Sequence, residues 1–535
     1  MPEEERADNS ATKSKRLETK ADVKLIHNKD YAAYSLRLET HHQGMELWGS
    51  ITPKQKGDIF RETDLIKLFK ELELTGDIDR ENMKIFCSKA CLNQPMADVV
   101  LMRGREPQKG KDEHIDFLAL PFSETPRYEK DVYGNIDYHK AHLFENVSKG
   151  QLIGESKPPG DGIPGESVTG DIIPASRGLP LDSHPKAGLN VRMSQQDGIY
   201  RYYAEIAGMI LKTERDISVT DKYNVNDDAG MATGNIDFAG DVTITGNVQN
   251  EFNVKAGKSL IIKGTIGGHC FIESGGDMAI GGMTSNGQGR IICGGNLTAK
   301  YLDGITVESR GNITIKNEIV NCRVKSEGAI DVNQGSIIGG RYTALGGIDA
   351  KELGSEGGVK TALTAGVSFI AESKKKEVHK RLDPITREIE FLSKKLEPVM
   401  KNPKAMLALN HHEKERIKEQ AKRFSELTPE QEKYKKMLED IKKETDALAN
   451  PMINARKCLE RGVEITIGGI TERISLRRVS PLTILRNSRR NELRFTSLHM
   501  LTEKAKEIER KIAQEEIEEE RRQALKAKEE EDEEI

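Results

Sequence analysis

Tryptophan occurs once in the 535 residues, at Trp48, and aromatic residues make up only 5% of the chain. The profile points to small side chains and glycine-rich turns. Cysteine is equally scarce: Cys87, Cys91, Cys270, Cys293, Cys322 and Cys458 are the only six, spaced unlike a disulfide framework, and are expected to be reduced thiols. No segment approaches 18 uninterrupted apolar residues, which excludes a spanning helix, and MPEEERADNS lacks the basic start and apolar run of a secretory signal. A cytosolic protein is therefore expected. The net charge is only −4, so neither a global basic excess for nucleic acid nor an acidic excess of the disordered kind is present, and any charge signal must be local.

Glycine is plentiful, at 48 residues, and the length allows three or four domains. Residues 1–20 are polar and aperiodic, as in a disordered tail. Residues 21–190 form an N-terminal region. Its first part is expected to be α+β, with Leu65, Leu68, Phe69 and Leu72 at helical spacing in DLIKLFKELEL, packed under the strand-like ELWGSI. Its second part, from 150 to 190, is punctuated by glycine and proline and predicts turns and short strands.

From about 234 to 370 the chain repeats itself. Gly240-Asp-Val-Thr-Ile244, Lys258-Ser-Leu-Ile-Ile262, Gly276-Asp-Met-Ala-Ile280, Gly295-Asn-Leu-Thr-Ala299, Gly311-Asn-Ile-Thr-Ile315, Gly328-Ala-Ile-Asp-Val332 and Gly347-Ile-Asp-Ala350 start 16 to 19 residues apart. A unit of that length holds three short strands and three corners, with apolar residues alternating as one buried face requires. One coil cannot bury its own apolar face, but coils stacked at about 4.8 Å share a continuous core. A parallel β-helix over 191–371 is predicted, and the variable period favours the right-handed form.

At Glu372 the composition turns to Lys, Glu, Leu and Arg. Leu382, Ile385, Ile389, Leu392 and Leu396 carry one heptad run, and Tyr434, Leu438, Ile441, Thr445 and Leu448 a second. An antiparallel coiled-coil hairpin over 372–450 is expected, with its reversal in NPKAMLALNHHEK (402–414) and a kink or interruption at Pro429. Gly462-Val-Glu-Ile-Thr-Ile467-Gly468 is again a glycine-bounded strand, so the hairpin reads as an insertion and the β-helix as returning over 451–495. Residues 496–535 read as a charged helix and tail, with 14 acidic and 8 basic residues from 503 onward.

Taken together, these motifs closely resemble the flagellar assembly protein A family, from about 22 to 495. Gly104-Arg-Glu-Pro-Gln-Lys-Gly110-Lys-Asp and Asp131-Val-Tyr-Gly134-Asn-Ile-Asp137-Tyr138 look like motifs of its N-terminal region. Pro158-Pro-Gly-Asp-Gly-Ile-Pro-Gly165, Val168-Thr-Gly170 and Gly188-Leu-Asn190-Val191 match its glycine-rich passage. The most specific match is Thr233-Gly234-Asn235-Ile-Asp237-Phe-Ala-Gly240-Asp-Val-Thr-Ile-Thr-Gly246-Asn-Val248, followed by Ile338-Gly-Gly340 and Leu353-Gly354-Ser355 in the closing coils. Gln108, Glu113 and Cys458-Leu-Glu-Arg-Gly462 depart from the family pattern. The resemblance implies a cytoplasmic, non-enzymatic protein of flagellar assembly or its regulation, extending to the cell pole, with a β-helix similar in kind to the self-assembling ones of bactofilins. Protein partners and a homo-oligomer are expected; no cofactor or metal is.

The chemical motifs carry little against this. Cys87 and Cys91 could share a helical face, but no second pair stands at zinc spacing. Side chains of the adjacent pairs His41-His42 and His411-His412 diverge. The glycine-rich 160–170 and 281–289 lack the Gly-Lys-Ser/Thr ending of a P-loop and read as turns. Asp241, Asp277 and Asp331 recur beside core positions, which keeps a carbohydrate-active β-helix enzyme as a rival, although single acids beside turn glycines are ordinarily caps. The sharpest charge cluster is Arg473, Arg477, Arg478, Arg486, Arg489, Arg490 and Arg494: residues 470–495 carry a net +5. It reads either as a basic edge for an acidic protein, nucleic acid or anionic membrane, or as a face balanced within the chain or by the acidic tail, and the balanced face is preferred.

Overall fold

The computed structural model describes residues 23–130, 132–401 and 410–533. The expected 1–20 tail, Asp131 of the hairpin motif and most of the expected 402–414 reversal lie outside them. The chain divides into two compact units, one formed by residues up to Leu118 with Leu152–Lys186 and Met193–Tyr203, the other by the remainder.

In the first unit, a five-stranded antiparallel sheet is built from Lys24–Asp30, Tyr34–His41, Glu46–Pro53, Met96–Arg103 and Asp77–Ile78. Helices α1 (Glu62–Glu71) and α2 (Arg80–Cys91) pack against it. Leu65 and Phe69 of α1 and Phe86 of α2 are buried with Leu38, Leu47 and Leu101 of the strands, as the helical spacing of their apolar residues requires. Further on, the 104–113 segment runs beside 160–179 through backbone contacts: Gly110 N donates to Ser176 O at 2.9 Å and Gly160 N to Lys111 O at 2.9 Å.

In the second unit a parallel β-solenoid of about eight turns occupies residues 222–365. Its first parallel pair is Lys222–Val225 with Asp241–Ile244, later than the expected start at 191. The strands Gly208–Lys212 and Asp216–Thr220 pair antiparallel instead, because the two short runs are joined by a tight turn closed by Thr213 N on Asp216 O at 3.0 Å. Within the solenoid, Tyr223, Val242, Leu260, Met278, Leu297, Ile313, Ile330, Ile348 and Ile453 stack in register, one per coil. All nine are buried in one continuous apolar core.

The ladder steps from Ile348 to Ile453 across the helical insertion. Strands Ile453–Leu459 and Val463–Ile467 pair parallel with Ile348–Leu353 and Thr361–Ala365, so the solenoid continues past the interruption. The remaining strands of the expected 451–495 return are not coils. Ile470–Arg473, Leu482–Asn487 and Glu492–Ser497 pair antiparallel, the first by folding back on Val463–Ile467. The reversal is made by Gly468 and Gly469, at φ +57° and +85°, the two positive values that a tight two-residue hairpin loop demands.

The insertion is two helices, α3 (Phe369–Lys401) and α4 (His411–Leu448). They run antiparallel: Thr386 meets Gln431 at 3.1 Å, whereas Glu388, further along α3, meets Arg423, earlier in α4, at 2.8 Å. The heptad positions Leu382, Leu392 and Leu396 are buried, as is Leu427 of α4. Helix α4 passes through Pro429 without interruption. A final helix, α5 (Ala505–Glu533), places Ala505 and Ile508 on Met452 and Leu485.

Candidate functional site

The repeat glycines form one stacked corner. Lys258 N donates to Gly240 O, Gly276 N to Lys258 O, Gly295 N to Gly276 O, Gly311 N to Gly295 O and Gly328 N to Gly311 O, at 2.8 to 3.3 Å. A Cβ on Gly311 would lie 2.8 Å from the carbonyl carbon and oxygen of Gly295, so the close stacking of these corners excludes a side chain there. The residue after Gly240, Gly276, Gly295 and Gly311 supplies a second ladder. Asp241 Oδ1 accepts from Ser259 N at 3.0 Å, Asp277 Oδ1 from Asn296 N at 2.7 Å, Asn296 Oδ1 from Asn312 N at 2.9 Å, and Asn312 Oδ1 from Ala329 N at 2.8 Å. These oxygens complete the backbone pairing at a corner where strand bonds stop.

Other corners use the same device. Asn235 Oδ1 accepts from Asn253 N at 2.8 Å, and Asn253 Oδ1 in turn from Phe271 N at 2.8 Å. Asp228 Oδ1 accepts from Asn247 N, the residue after Gly246. Asp331 caps its own turn by accepting from Asn333 N at 3.0 Å. The three recurring aspartates thus sit in separate coils, each engaged with backbone. Among the described residues no group of three or more His, Cys, Asp or Glu side chains is placed to hold a metal.

The remaining motif residues are turn and edge positions. Gly134, at φ +85°, turns the hairpin between Arg127–Lys130 and Ile136–His142, and Asp137 accepts from His139 N at 3.0 Å. Gly165 lies in the short strand Gly165–Glu166, and Gly170 N closes a turn on Ser167 O. Gly188 N donates to Ile217 O and Asn190 Nδ2 to Val219 O, both at 2.9 Å. Gly234 precedes Asn235, whose N donates to His139 O at 3.0 Å; Asp237 O accepts from Asn146 Nδ2 at 2.9 Å. Gly340 begins the strand Gly340–Ala344, and Gly354 N donates to Ile337 O at 2.9 Å. The glycine-rich 281–289, expected as a turn, lies within the long strand Met278–Cys293, whose register shifts between Thr284 and Gly289. Cys87 and Cys91 both lie on α2; burial pushes the Cys87 thiol up to about 12. His41 stacks on Trp48 while His42 turns to Glu46.

Both ends of the solenoid are covered by the chain itself. At the first coils, Asn146 bridges Asp237 O and Ala239 N, and Phe144 packs against Tyr223 and Phe238. At the last, the antiparallel strands after Gly469 occupy the edges of Ile453–Leu459 and Val463–Ile467.

The arginines of 473–494 do not make one basic face. Arg477 joins Glu460 at 2.8 Å and Glu356 at 3.5 Å, and Arg478 lies 3.6 Å over the ring of Phe495. Arg489 and Arg490 share Glu520 of α5, at 2.7 and 3.8 Å, and Arg494 pairs with Glu516, which is buried and also meets Asn487. Ser488 binds Glu509. Glu509, Glu516 and Glu520 share one side of α5 at spacings of seven and four, so the acidic helix covers three of the seven arginines. Arg473 alone of the six candidates makes no ion pair, side-chain hydrogen bond or ring contact among the described residues.

Sequence reasoning missed Arg461, Ser475 and the Gly357-Gly358 turn, which line a cleft with Arg473. The paired glycines were the available signal.

Residues 221–493 match the Flagellar Assembly Protein A beta solenoid domain and residues 36–215 the Flagellar Assembly Protein A N-terminal region. No curated protein and no solved structure matches the chain. Helix α5 lies beyond both matched segments. With the stacked corners and the two matches covering most of its length, the chain belongs to the Flagellar Assembly Protein A family.

Proposed function

We propose that the protein is a non-enzymatic scaffold of the flagellar assembly machinery, acting by protein–protein recognition on the cytoplasmic side and at the cell pole. Membership of the family supports flagellar assembly. The observation that carries the scaffold reading is the way α3 and α4 leave the solenoid without breaking it. The ladder resumes in register at Ile453, and the base of α3 is pinned to a coil by Glu327, which accepts from Ser368 Oγ at 2.6 Å and Ile370 N at 3.0 Å. Such a base gives a fixed orientation to a helical surface.

That surface has a groove of about 420 Å³, lined by the apolar Val378 of α3 and Tyr434, Met437 and Ile441 of α4, with Met437 42% exposed, and by charged residues of both helices, among them Lys374, Arg381, Asp440 and Glu444. A groove of this kind suits an amphipathic helix of a partner or of a second copy. Because the chain covers both solenoid ends, self-association is assigned to this hairpin rather than to end-on stacking of coils. Deleting residues 372–450 across a short glycine-serine link should leave a cooperatively melting solenoid while abolishing flagellar assembly and partner capture in the native cell. Normal flagellation in that strain would refute the hairpin reading.

A second reading, an adaptor for nucleic acid or an anionic membrane, rests on Arg489, Arg490 and Arg494. It requires α5 to release them, since Glu516 and Glu520 occupy the same guanidinium groups. The aspartates engaged in corner ladders favour neither a lyase nor a hydrolase.

A further inference from the structure

We infer that the cleft between the 354–358 loop and the turns at 461–462 and 473–475 binds a small organic phosphate. The cleft measures about 430 Å³ and is lined by Gly357, Gly358, Arg461, Gly462, Arg473, Ile474 and Ser475, so both charged lining residues are cationic. A volume of that size falls in the range of small-molecule sites. It holds a phosphate with a sugar-sized remainder.

The case rests on how charge is distributed at this end of the solenoid. Arg456, Arg477, Arg489, Arg490 and Arg494 each face a carboxylate. Arg461 and Arg473 make no ion pair among the described residues. The carboxylates that could have neutralised them are drawn elsewhere. Arg477 takes both Glu356 and Glu460, which flank the two loops, and Lys360 lies 3.8 Å from Glu464, the residue opposite Arg473 across the strand pair. Glu472 neighbours Arg473 on the same strand and therefore points to the opposite face. Two guanidinium groups, each with fork-like donors, are left beside an open space.

The backbone fits the same ligand. Gly358 and Gly462 adopt φ +69° and +86°, and a Cβ on Gly462 would lie 2.8 Å from Gly358 O, so the two loops approach as only glycine permits. Gly462 N donates to Ile474 O and Ile474 N to Val463 O, at 2.9 and 2.8 Å, which fixes the Arg461 turn against the Arg473 strand. Ser475 adds an exposed hydroxyl to the lining. Arginine forks, a hydroxyl and a glycine turn are the donor set of phosphate sites.

The test is calorimetric titration of the full-length protein with adenosine 5′-monophosphate, inorganic phosphate and adenosine. Saturable binding of the monophosphate is expected, with phosphate weaker and adenosine silent. Arg461→Ala and Arg473→Ala should each weaken it by about tenfold or more, while Arg310→Ala, on a distant coil corner, leaves it unchanged. Because both arginines are exposed, the variants should melt as the parent does. Absence of saturable binding by either phosphate, binding of adenosine as tight as of its monophosphate, equal affinity for inorganic phosphate and the monophosphate, or undiminished binding by the Arg461→Ala/Arg473→Ala double variant would each overturn the assignment.

Discussion

Asp349 and Arg456 form a two-point ion pair, Oδ1 to Nε and Oδ2 to Nη2, both at 2.7 Å, in a coil whose neighbours use that position for outward-facing residues. Asp349 stands in the ladder Ala279, Thr298, Thr314, Asp331, Asp349, Asn454. It is 1% exposed, and Arg456 and Asn454 both bond its carboxylate. Asn454 extends the network by donating to Asp349 and to His499 O and accepting from Thr483 Oγ1 at 2.8 Å.

Removing one member of such a pair leaves the other charge buried and alone. Arg456→Ala is expected to destabilise the protein by about 3 kcal/mol, the lower end of the usual cost because the arginine side chain remains partly solvated. Arg456→Lys should recover only part of it, since lysine cannot offer two parallel donors. Urea unfolding compares the three proteins. A loss below about 1 kcal/mol for Arg456→Ala would show that the pair is not what holds these two successive coils together.

The corner ladder makes a second claim. In Asn312→Ala the N–H of Ala329 loses its acceptor, as does any group bonded to that amide, at a cost of about 1–2 kcal/mol. Thr298→Ala, at an exposed outward position of a neighbouring coil, should stay within about 0.5 kcal/mol. Equal losses in thermal melting would mean that the asparagine contributes no more than an ordinary surface side chain.

Much of this was legible because it is periodic. Glycine followed by Asp or Asn, then alternating apolar residues, recurs in four of the seven repeat elements, and each member has a structural reason: close corner stacking, an acceptor for the next coil, and a buried ladder. What breaks the period could not be read so directly. The antiparallel cap begins at Gly468-Gly469, and glycine before an alternating strand is also how each coil begins. The contacts of the arginines were obscure for another reason. Arg494 and Glu516 are 22 residues apart and Arg489 and Glu520 are 31 apart, beyond any helical or strand spacing, although the opposite net charges of the two segments hinted at them. The Arg461–Arg473 cleft joins three turns from separate stretches, and only folding brings them together.

Helix α5 makes the basic strands testable. Glu520→Gln removes the carboxylate shared by Arg489 and Arg490 while keeping Ala505 and Ile508 on Met452 and Leu485. This variant should elute from immobilised heparin at higher salt than the parent, and adding Glu509→Gln and Glu516→Gln should strengthen the shift. Further substitution of Arg489 and Arg490 by Ser should cancel the gain from Glu520→Gln. Elution unchanged by Glu520→Gln would mean that those arginines are not available to a polyanion even when unpaired.

Acid sensitivity of the solenoid should pass in part through Glu308. Burial alone would raise its pKa, but Lys325 at 3.0 Å and Arg290 at 3.3 Å outweigh burial and hold it below the ordinary glutamate value. A carboxylate whose folded pKa lies below its unfolded one stabilises the native state fully above the unfolded value. That contribution disappears as pH falls through the folded pKa, where native and unfolded states bind the proton alike. Glu308→Gln should therefore be less stable than the parent at pH 7, by about 1 kcal/mol given the solvent access of both cations, and the difference should shrink below about pH 4.3. Melting curves of both proteins from neutral to acidic pH measure this directly. A gap that stays constant into the acid range would trace the loss to packing of the glutamate stem, because packing does not titrate.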